Sequence, residues 1–223
     1  NNLKNSPQIE LMTTLKLDSS LPLKKRGSKY LNYLTPKLST LINPSDMKNH
    51  SETKRKINNE NIFDINRLGL TDSLETGKSL TVGLDYKREK LEDINKYFEF
   101  KLATVFRDKE ETFIPSTSTL NKKTSNLFGS LSNNFSDNFD FKYHFALDNN
   151  LDEFQYNEFV SKISLNNLVT EFSFIEEGGA IGSTNTFENK TKYVFDENNS
   201  ISFKTRRNRK INLTEYYDLV YEY

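Results

Sequence analysis

Residues 138–147 read NFDFKYHFAL, and this stretch is the clearest indication of the fold class. Every second residue is large and apolar, namely Phe139, Phe141, Tyr143, Phe145 and Leu147. The residues between them are polar or small, namely Asp140, Lys142, His144 and Ala146. A helix would scatter both sets around its circumference, whereas a strand places them on opposite faces. The stretch therefore predicts a β-strand with one apolar and one polar face.

The same alternation recurs in residues 80–87, 98–106 and 213–223, with Glu215 as the exception in the last stretch. There we expect Leu213 to share a face with Tyr217, Leu219, Tyr221 and Tyr223. About eleven strands are predicted, over residues 8–18, 29–42, 78–89, 96–107, 124–134, 138–148, 153–165, 168–176, 185–195, 200–208 and 213–223. No helix-length pattern interrupts them, so the predicted fold class is all-β, an antiparallel up-and-down meander. Most strands approach the roughly nine to eleven residues that a tilted strand needs to cross a bilayer.

The connections between these strands differ in length in a regular way. Short ones fall near residues 24–28, 90–95, 135–137, 166–167 and 196–199, and they alternate with all the long ones, near 43–77, 108–123 and 177–184. In a meander, alternate connections lie at the same end of the sheet. Long loops at one end and tight turns at the other are typical of bacterial outer-membrane barrels.

The composition fits a transmembrane barrel better than other classes. Only 35% of the residues are hydrophobic, yet there are 17 Phe and 11 Tyr. Barrel strands are apolar on one face only, which permits this combination, whereas disordered chains are poor in aromatics. The formal net charge is zero, so no basic excess marks a nucleic-acid partner.

The sequence offers little for catalysis or metal binding. It contains no cysteine, and its two histidines, His50 and His144, are too far apart in sequence to suggest a zinc site. No nucleophile, metalloprotease or paired-carboxylate motif is present, so we predict neither enzyme activity nor a cofactor. No apolar run approaches the length of a transmembrane helix. Because the chain starts without Met and stops inside a predicted strand, we expect an internal fragment of a longer exported protein.

Residues 59–83, NENIFDINRLGLTDSLETGKSLTVG, carry a family resemblance. They resemble the conserved stretch of the LPS-assembly outer-membrane protein family, also called the organic solvent tolerance protein family. Residues 33–38, 105–108 and 203–208 resemble further pieces of that family in the same order. The chain departs from the family at Asn61, where aspartate is common, and at residues 68–70, where the family often has Phe-x-Gly.

The resemblance implies a fold, a function and partners. It implies that residues 1–223 form part of one large transmembrane barrel in the outer membrane of a Gram-negative bacterium, with a long loop at about 43–77. It implies a passive translocon that inserts lipopolysaccharide into the outer leaflet. The implied partners are lipopolysaccharide, outer-membrane lipid, an LptE-like lipoprotein plug inside the barrel, and a periplasmic bridge protein reached through an N-terminal domain absent from this chain.

Two groups of charged residues are candidate lipopolysaccharide contacts. The first consists of Asp64, Arg67, Asp72 and Glu75 in or beside the long loop. These residues would either steer an anionic glycolipid or fasten the loop to the barrel wall by salt bridges. The second is the basic run Arg206, Arg207, Arg209 and Lys210 at a strand end. It would either meet phosphates and core sugars on the external side or form a solvated rim turn.

Two other classes of protein remain open at this point. One is a different outer-membrane barrel, such as a porin or a nutrient receptor. The other is a soluble β-rich binding module, whose apolar faces would pack against a second sheet.

Overall fold

The computed structural model describes residues 12–134 and 136–223, and these form one twelve-stranded antiparallel sheet. The strands are β1 Leu15–Ser20, β2 Leu23–Arg26, β3 Tyr30–Asn43, β4 Gly77–Lys90, β5 Tyr97–Arg107, β6 Leu127–Asn133, β7 Phe139–Leu147, β8 Phe154–Leu165, β9 Leu168–Glu177, β10 Asn185–Val194, β11 Ser200–Asn208 and β12 Leu213–Glu222. From β3 onward each strand pairs with the next along the chain. The predicted fold class, an all-β up-and-down meander, is confirmed.

The first predicted strand, residues 8–18, is wrong in its bounds. Residues 8–11 lie outside the described residues, and β1 begins only at Leu15. Both β1 and β2 pair with β3, so together they form one long strand interrupted at Leu21 and Pro22. Part of the stretch predicted as a turn, residues 24–28, therefore belongs to β2, and the turn to β3 spans 27–29. The interruption accounts for the twelfth strand, because proline cannot donate a hydrogen bond to a sheet ladder.

The connections are sorted by length as predicted. The long loops 44–76 and 108–126 lie at one end of the sheet, together with the shorter loops 148–153, 178–184 and 209–212. The turns at the other end are 27–29, 91–96, 166–167 and 195–199, and the connection from β6 to β7 lies there as well. We call these the loop end and the turn end. Within the part of the chain that the structure describes, no helix has the length and apolar character to cross a membrane.

Strand register assigns each residue to one of two faces. Phe145 is opposite Gly129, and Leu80 is opposite Phe106, on the apolar face. Aromatic rings follow one another along this face, as in the Tyr143–Phe145 pair, whose ring centroids are 5.6 Å apart. The faces that alternation predicts for β4, β5 and β7 are those observed.

The opposite, polar face carries charges that are largely paired with one another. Its ion pairs include Lys37–Asp85 at 2.5 Å, Lys87–Glu89 at 3.0 Å, Lys101–Glu99 at 3.0 Å, Lys204–Glu188 at 3.4 Å and Lys192–Glu222 at 2.7 Å. Each exposed pair contributes little to stability. Together they make a polar surface with little excess of either charge.

A β-bulge changes the faces at the start of β12. The register with β11 shifts between Arg206 and Arg207, which places Glu215 as the extra residue. Leu213 consequently pairs with Asn208, which lies on the polar face. The prediction that Leu213 shares a face with Tyr217 is therefore wrong. A one-residue shift reverses the alternation. It also explains the Glu215 exception, since this carboxylate lies 3.0 Å from Arg206 on the polar face.

The hydrophobic core lies on the polar face, beneath the long loops. The strands contribute Ala103, Val105, Phe128 and Ala146, which are polar-face positions near the loop end. The loops contribute Met47, Ile57, Ile62, Leu68, Leu70, Ile114, Leu120 and Ile181. The long loops therefore fold over one face of the sheet and bury it locally.

Candidate functional site

Loop 44–76 docks on the sheet through a close contact at Gly83. A Cβ atom at this position of β4 would lie 2.6 Å from Cζ of Phe63, so the phenyl ring occupies the space that a side chain would fill. Lys37 of β3 lies over this ring, with Nζ 5.5 Å from its centroid. The neighbouring Ile62 is fully buried. The loop segment that carries the family motif is thus held against β3 and β4.

Arg67 joins this loop to the sheet, and every nitrogen of its guanidinium group takes part. Its Nε and Nη2 donate to the two carboxylate oxygens of Glu75 at 2.5 and 2.7 Å. Nη1 donates to Thr81 Oγ1 at 2.8 Å and to the Ile62 carbonyl at 3.2 Å, and Nη2 also reaches Ser79 Oγ at 2.9 Å. Two planar groups in such a fork-to-fork arrangement form one of the stronger hydrogen-bonded pairs in proteins.

Arg107, the last residue of β5, completes the cluster. Its Nη1 donates to Oε1 of Glu75, and its Nη2 donates to the Thr76 carbonyl at 2.6 Å. Arg107 reaches this position because the β4–β5 register sets it opposite Ser79. We call these residues the Arg67–Glu75–Arg107 cluster.

The cluster is buried, with Arg67, Glu75 and Arg107 only 3%, 2% and 6% exposed. One carboxylate thus sits between two guanidinium groups out of water, and the hydroxyls and carbonyls around them satisfy further donors. Removing one partner of such a buried ion pair is strongly destabilising, because the remaining charge stays buried. The arrangement joins residues of the loop, β4 and β5 into one polar unit.

The structure brings together only two of the four loop residues predicted as a site. Arg67 and Glu75 pair directly, whereas Asp64 is exposed and Asp72 lies elsewhere. The Asp72 carboxylate is 3.2 Å from Nε2 of His50. Asp64 and Asp72 therefore lie outside the Arg67–Glu75 pair, and a turn at Asn66–Gly69 separates the two along the loop.

Arg107 was not among the predicted site residues, although residues 105–108 contributed to the family resemblance. Its role depends on a partner 32 residues earlier in the chain. The signal in the sequence was an arginine at the end of an alternating strand, where the next residue begins a long loop. That signal becomes specific only when the register to β4 is known.

A cavity of about 240 Å³ lies between loop 44–76 and strands β6 to β9. His144, Tyr156 and Glu158 line it from the sheet, and Lys56 lines it from the loop. Lys56 also pairs with the Glu177 carboxylate, which ties the loop to the end of β9. The loop is therefore anchored at two separate places on the polar face.

The basic run of β11 does not form a single patch. Arg206 lies on the polar face and pairs with Glu215 at 3.0 Å. Arg207 is opposite Phe187 on the apolar face and donates to Asn212 Oδ1. The guanidinium carbon of Arg209 lies 5.5 Å from the centroid of Phe174, and Lys210 is exposed. The run therefore divides between the two faces of the sheet, because successive strand residues point to opposite faces.

An antiparallel meander of long strands, apolar on one face and charge-paired on the other, with long loops at one end, defines the outer-membrane β-barrel class. A model of the family described as LptD, LPS transport system D, matches residues 4–173, which is more than half of the 223-residue chain. The chain therefore belongs to the LptD family of lipopolysaccharide transport proteins, as its motifs predicted. No curated protein matches the chain.

Proposed function

We propose that residues 1–223 are part of the barrel wall of the outer-membrane translocon that inserts lipopolysaccharide into the outer leaflet. The observation that carries this proposal is the family match over residues 4–173. The sheet agrees with it, because one face is apolar, as contact with lipid requires, and the other carries paired charges, as contact with water requires. The protein acts as a conduit and carries out no chemical reaction. The apolar face contacts outer-membrane lipid, and the polar face lines the path or contacts a lipoprotein plug.

The unpaired sheet edges support a larger, closed barrel. The order of strands runs from β1 to β12, and these two edge strands do not pair with each other within the described residues. Leu17 on β1 and Leu219 on β12 are 71% and 67% exposed. Open edges do not occur in the hydrocarbon region, because unpaired backbone groups are costly there. We infer that further strands complete the wall.

The direction of the sheet follows from its loops. Long loops are external in outer-membrane barrels, and short turns are periplasmic. Loops 44–76 and 108–126 would accordingly lie on the cell surface side, where loop 44–76 covers part of the polar face. We propose that the Arg67–Glu75–Arg107 cluster holds this loop in place as a structural fastening. Asp64 and Asp72, which lie outside the cluster, remain candidate contacts for the glycolipid.

The proposal is tested by depleting the full-length protein in its own cell and measuring lipopolysaccharide on the surface. Loss from the surface, with accumulation behind the outer membrane, is the expected result, and expression of the wild-type gene should reverse it. Unchanged surface lipopolysaccharide with reduced uptake of a solute would instead indicate a porin or a nutrient receptor. Recovery of the protein in a soluble fraction without detergent would indicate a β-rich binding module.

A further inference from the structure

Two arginines stand on the apolar face at the loop end, on neighbouring positions of β11 and its extension. Arg207 is opposite Phe187, and Arg209 follows two residues later, its backbone N–H donating to the Asn185 carbonyl at 2.8 Å. Both side chains are exposed. Asn212 accepts a hydrogen bond from Arg207 Nη2, which helps to orient that guanidinium group. These two residues are called the outer basic pair.

The outer basic pair differs from the basic residues of the polar face, because it has no acidic partner. Among residues 12–134 and 136–223, no carboxylate oxygen lies within the 4.0 Å of an ion pair from either guanidinium group. Glu176 lies on the same, apolar face, but its Oε1 accepts a hydrogen bond from Asn185 Nδ2 at 2.9 Å. The described residues therefore supply no negative charge to this pair.

The surface next to the pair is aromatic. Phe172 and Phe187 have ring centroids 6.1 Å apart, and the Phe174 ring lies beneath Arg209. An open cleft of about 530 Å³ is lined by Phe187, Arg207, Arg209 and Asn212. Guanidinium groups above an apolar surface suit a molecule with an anionic head and hydrocarbon chains.

We propose that the outer basic pair binds a phosphate group of a phosphorylated glycolipid in the outer leaflet. The forked N–H donors of Arg207 and Arg209 match phosphate oxygens, and the acyl chains run along the Phe172, Phe174 and Phe187 surface. This inference rests on the proposed function, since that function places the apolar face in lipid and the loop end at the outer leaflet. It assigns the site to the outside of the wall, where glycolipid would be held after insertion.

The test compares glycolipid bound to the full-length protein purified from its membrane in mild detergent. Native mass spectrometry would measure retained glycolipid for the wild type, R207A/R209A and a control, R88A/K90A. The control removes two positive charges from the same face at the turn end, where Arg88 lies over the Tyr30 ring. We expect R207A/R209A to retain about tenfold less glycolipid, and R88A/K90A to retain the wild-type amount.

Further measurements distinguish between the possible ligands and control for misfolding of the variant. Inorganic phosphate should not displace the glycolipid, and a diacyl phospholipid should displace it poorly. Displacement by either would overturn the assignment to a glycolipid. If R207A/R209A is not folded, as judged by its mobility in unheated detergent gels, R207K/R209K serves instead. R207K/R209K keeps both positive charges but loses the forked donors of arginine. It should therefore retain less glycolipid than the wild type and R88A/K90A, but should not lose it completely.

The outcomes distinguish this inference from the proposed function. Wild-type retention by the folded arginine variant, in a protein whose depletion removes surface lipopolysaccharide, overturns the outer site alone. Depletion without any change in surface lipopolysaccharide overturns the proposed function, whatever the variants bind.

Discussion

At the scale of single residues, the Arg67–Glu75–Arg107 cluster is the most consequential feature of the chain. Glu75 is the only carboxylate that the described residues place between these guanidinium groups, and its two oxygens serve both. A neutral residue here would leave two buried positive charges without a counter-charge. The effect of a substitution should thus be much larger than for any exposed ion pair of the polar face.

Glu75→Gln should destabilise the docked loop by about 3–5 kcal/mol, the usual cost of removing one partner of a buried ion pair. The measurement is limited proteolysis of the full-length protein in membrane vesicles, with cleavage mapped to loop 44–76. Glu60→Gln makes the same chemical change at an exposed position of the same loop and should leave cleavage unchanged. Equal cleavage rates in the two variants would show that the cluster does not hold the loop.

Asp196 should titrate at a lower pH than an ordinary aspartate. In turn 195–199 the Asn198 backbone N–H and the Asn199 side chain donate to its carboxylate, at 2.9 and 2.8 Å, and lower its pKa from the ordinary 3.8. A depressed pKa means that the turn is stabilised above the unfolded-state value, and that this contribution is lost as the pH falls through the folded pKa.

The check is a carboxyl carbon NMR titration of Asp196 in the folded protein. A midpoint below 3.8 is expected. Asn199→Ala removes one donor and should raise the midpoint toward that value. A midpoint at or above 3.8 in the wild type would mean that the turn does not hold this geometry in solution.

At the scale of elements, strand β4 both forms the wall and receives the loop. Its apolar face carries Leu80 and Val82, whereas Thr81 and Gly83 on the other face contact the loop residues Arg67 and Phe63. A strand that is hydrogen-bonded on both sides is a rigid support for a long loop. Gly83 is needed there, because the Phe63 ring approaches the backbone where a side chain would stand.

Gly83→Ala should loosen loop 44–76. The new Cβ would lie 2.6 Å from Phe63 Cζ and 3.1 Å from the Leu102 carbonyl oxygen, so the ring must move out of its place. Overpacking of this kind commonly costs about 1–3 kcal/mol. Hydrogen exchange of the loop amides would measure the effect. Gly178→Ala is the matched control, since nothing lies within 4 Å of its added Cβ. Equal exchange in both variants would exclude the Phe63 contact as an anchor.

At the scale of the whole molecule, the two ends and two faces of the sheet give the wall its orientation. One face is apolar, the polar face is shielded near the loop end, and the long loops all leave from one end. The orientation can be tested directly with introduced cysteines, compared with the same full-length protein without them, because residues 1–223 contain no cysteine. Labelling at single introduced cysteines then reports on one position at a time.

Lys109→Cys in loop 108–126 should react with a bulky, membrane-impermeant maleimide in intact cells. Asn198→Cys in the turn 195–199 should react only after the outer membrane is permeabilised, because that turn is expected on the periplasmic side. Both positions are exposed, so accessibility to solvent does not distinguish them. Labelling with the two positions reversed would contradict the orientation and, with it, the location of the outer basic pair.

The class of fold, most strand bounds and the sorting of the loops follow from local patterns in the sequence. In NFDFKYHFAL the side-chain period of two is a local property of the extended backbone, so it can be read without knowing any partner strand. The family motif in residues 59–83 likewise pointed to the long loop as the place of the candidate site. It also contained Arg67 and Glu75, although it could not separate them from Asp64 and Asp72.

Which of these residues contact one another depends on how distant segments pack together. Arg107 joins Glu75 from 32 residues away because strand register places it there, and a single bulge at Glu215 reverses the face of Leu213. The basic run of β11 divides between two faces for the same reason, which leaves Arg207 and Arg209 without acidic partners among the described residues. Register and loop docking depend on contacts between distant segments, and alternation along one strand carries no information about them.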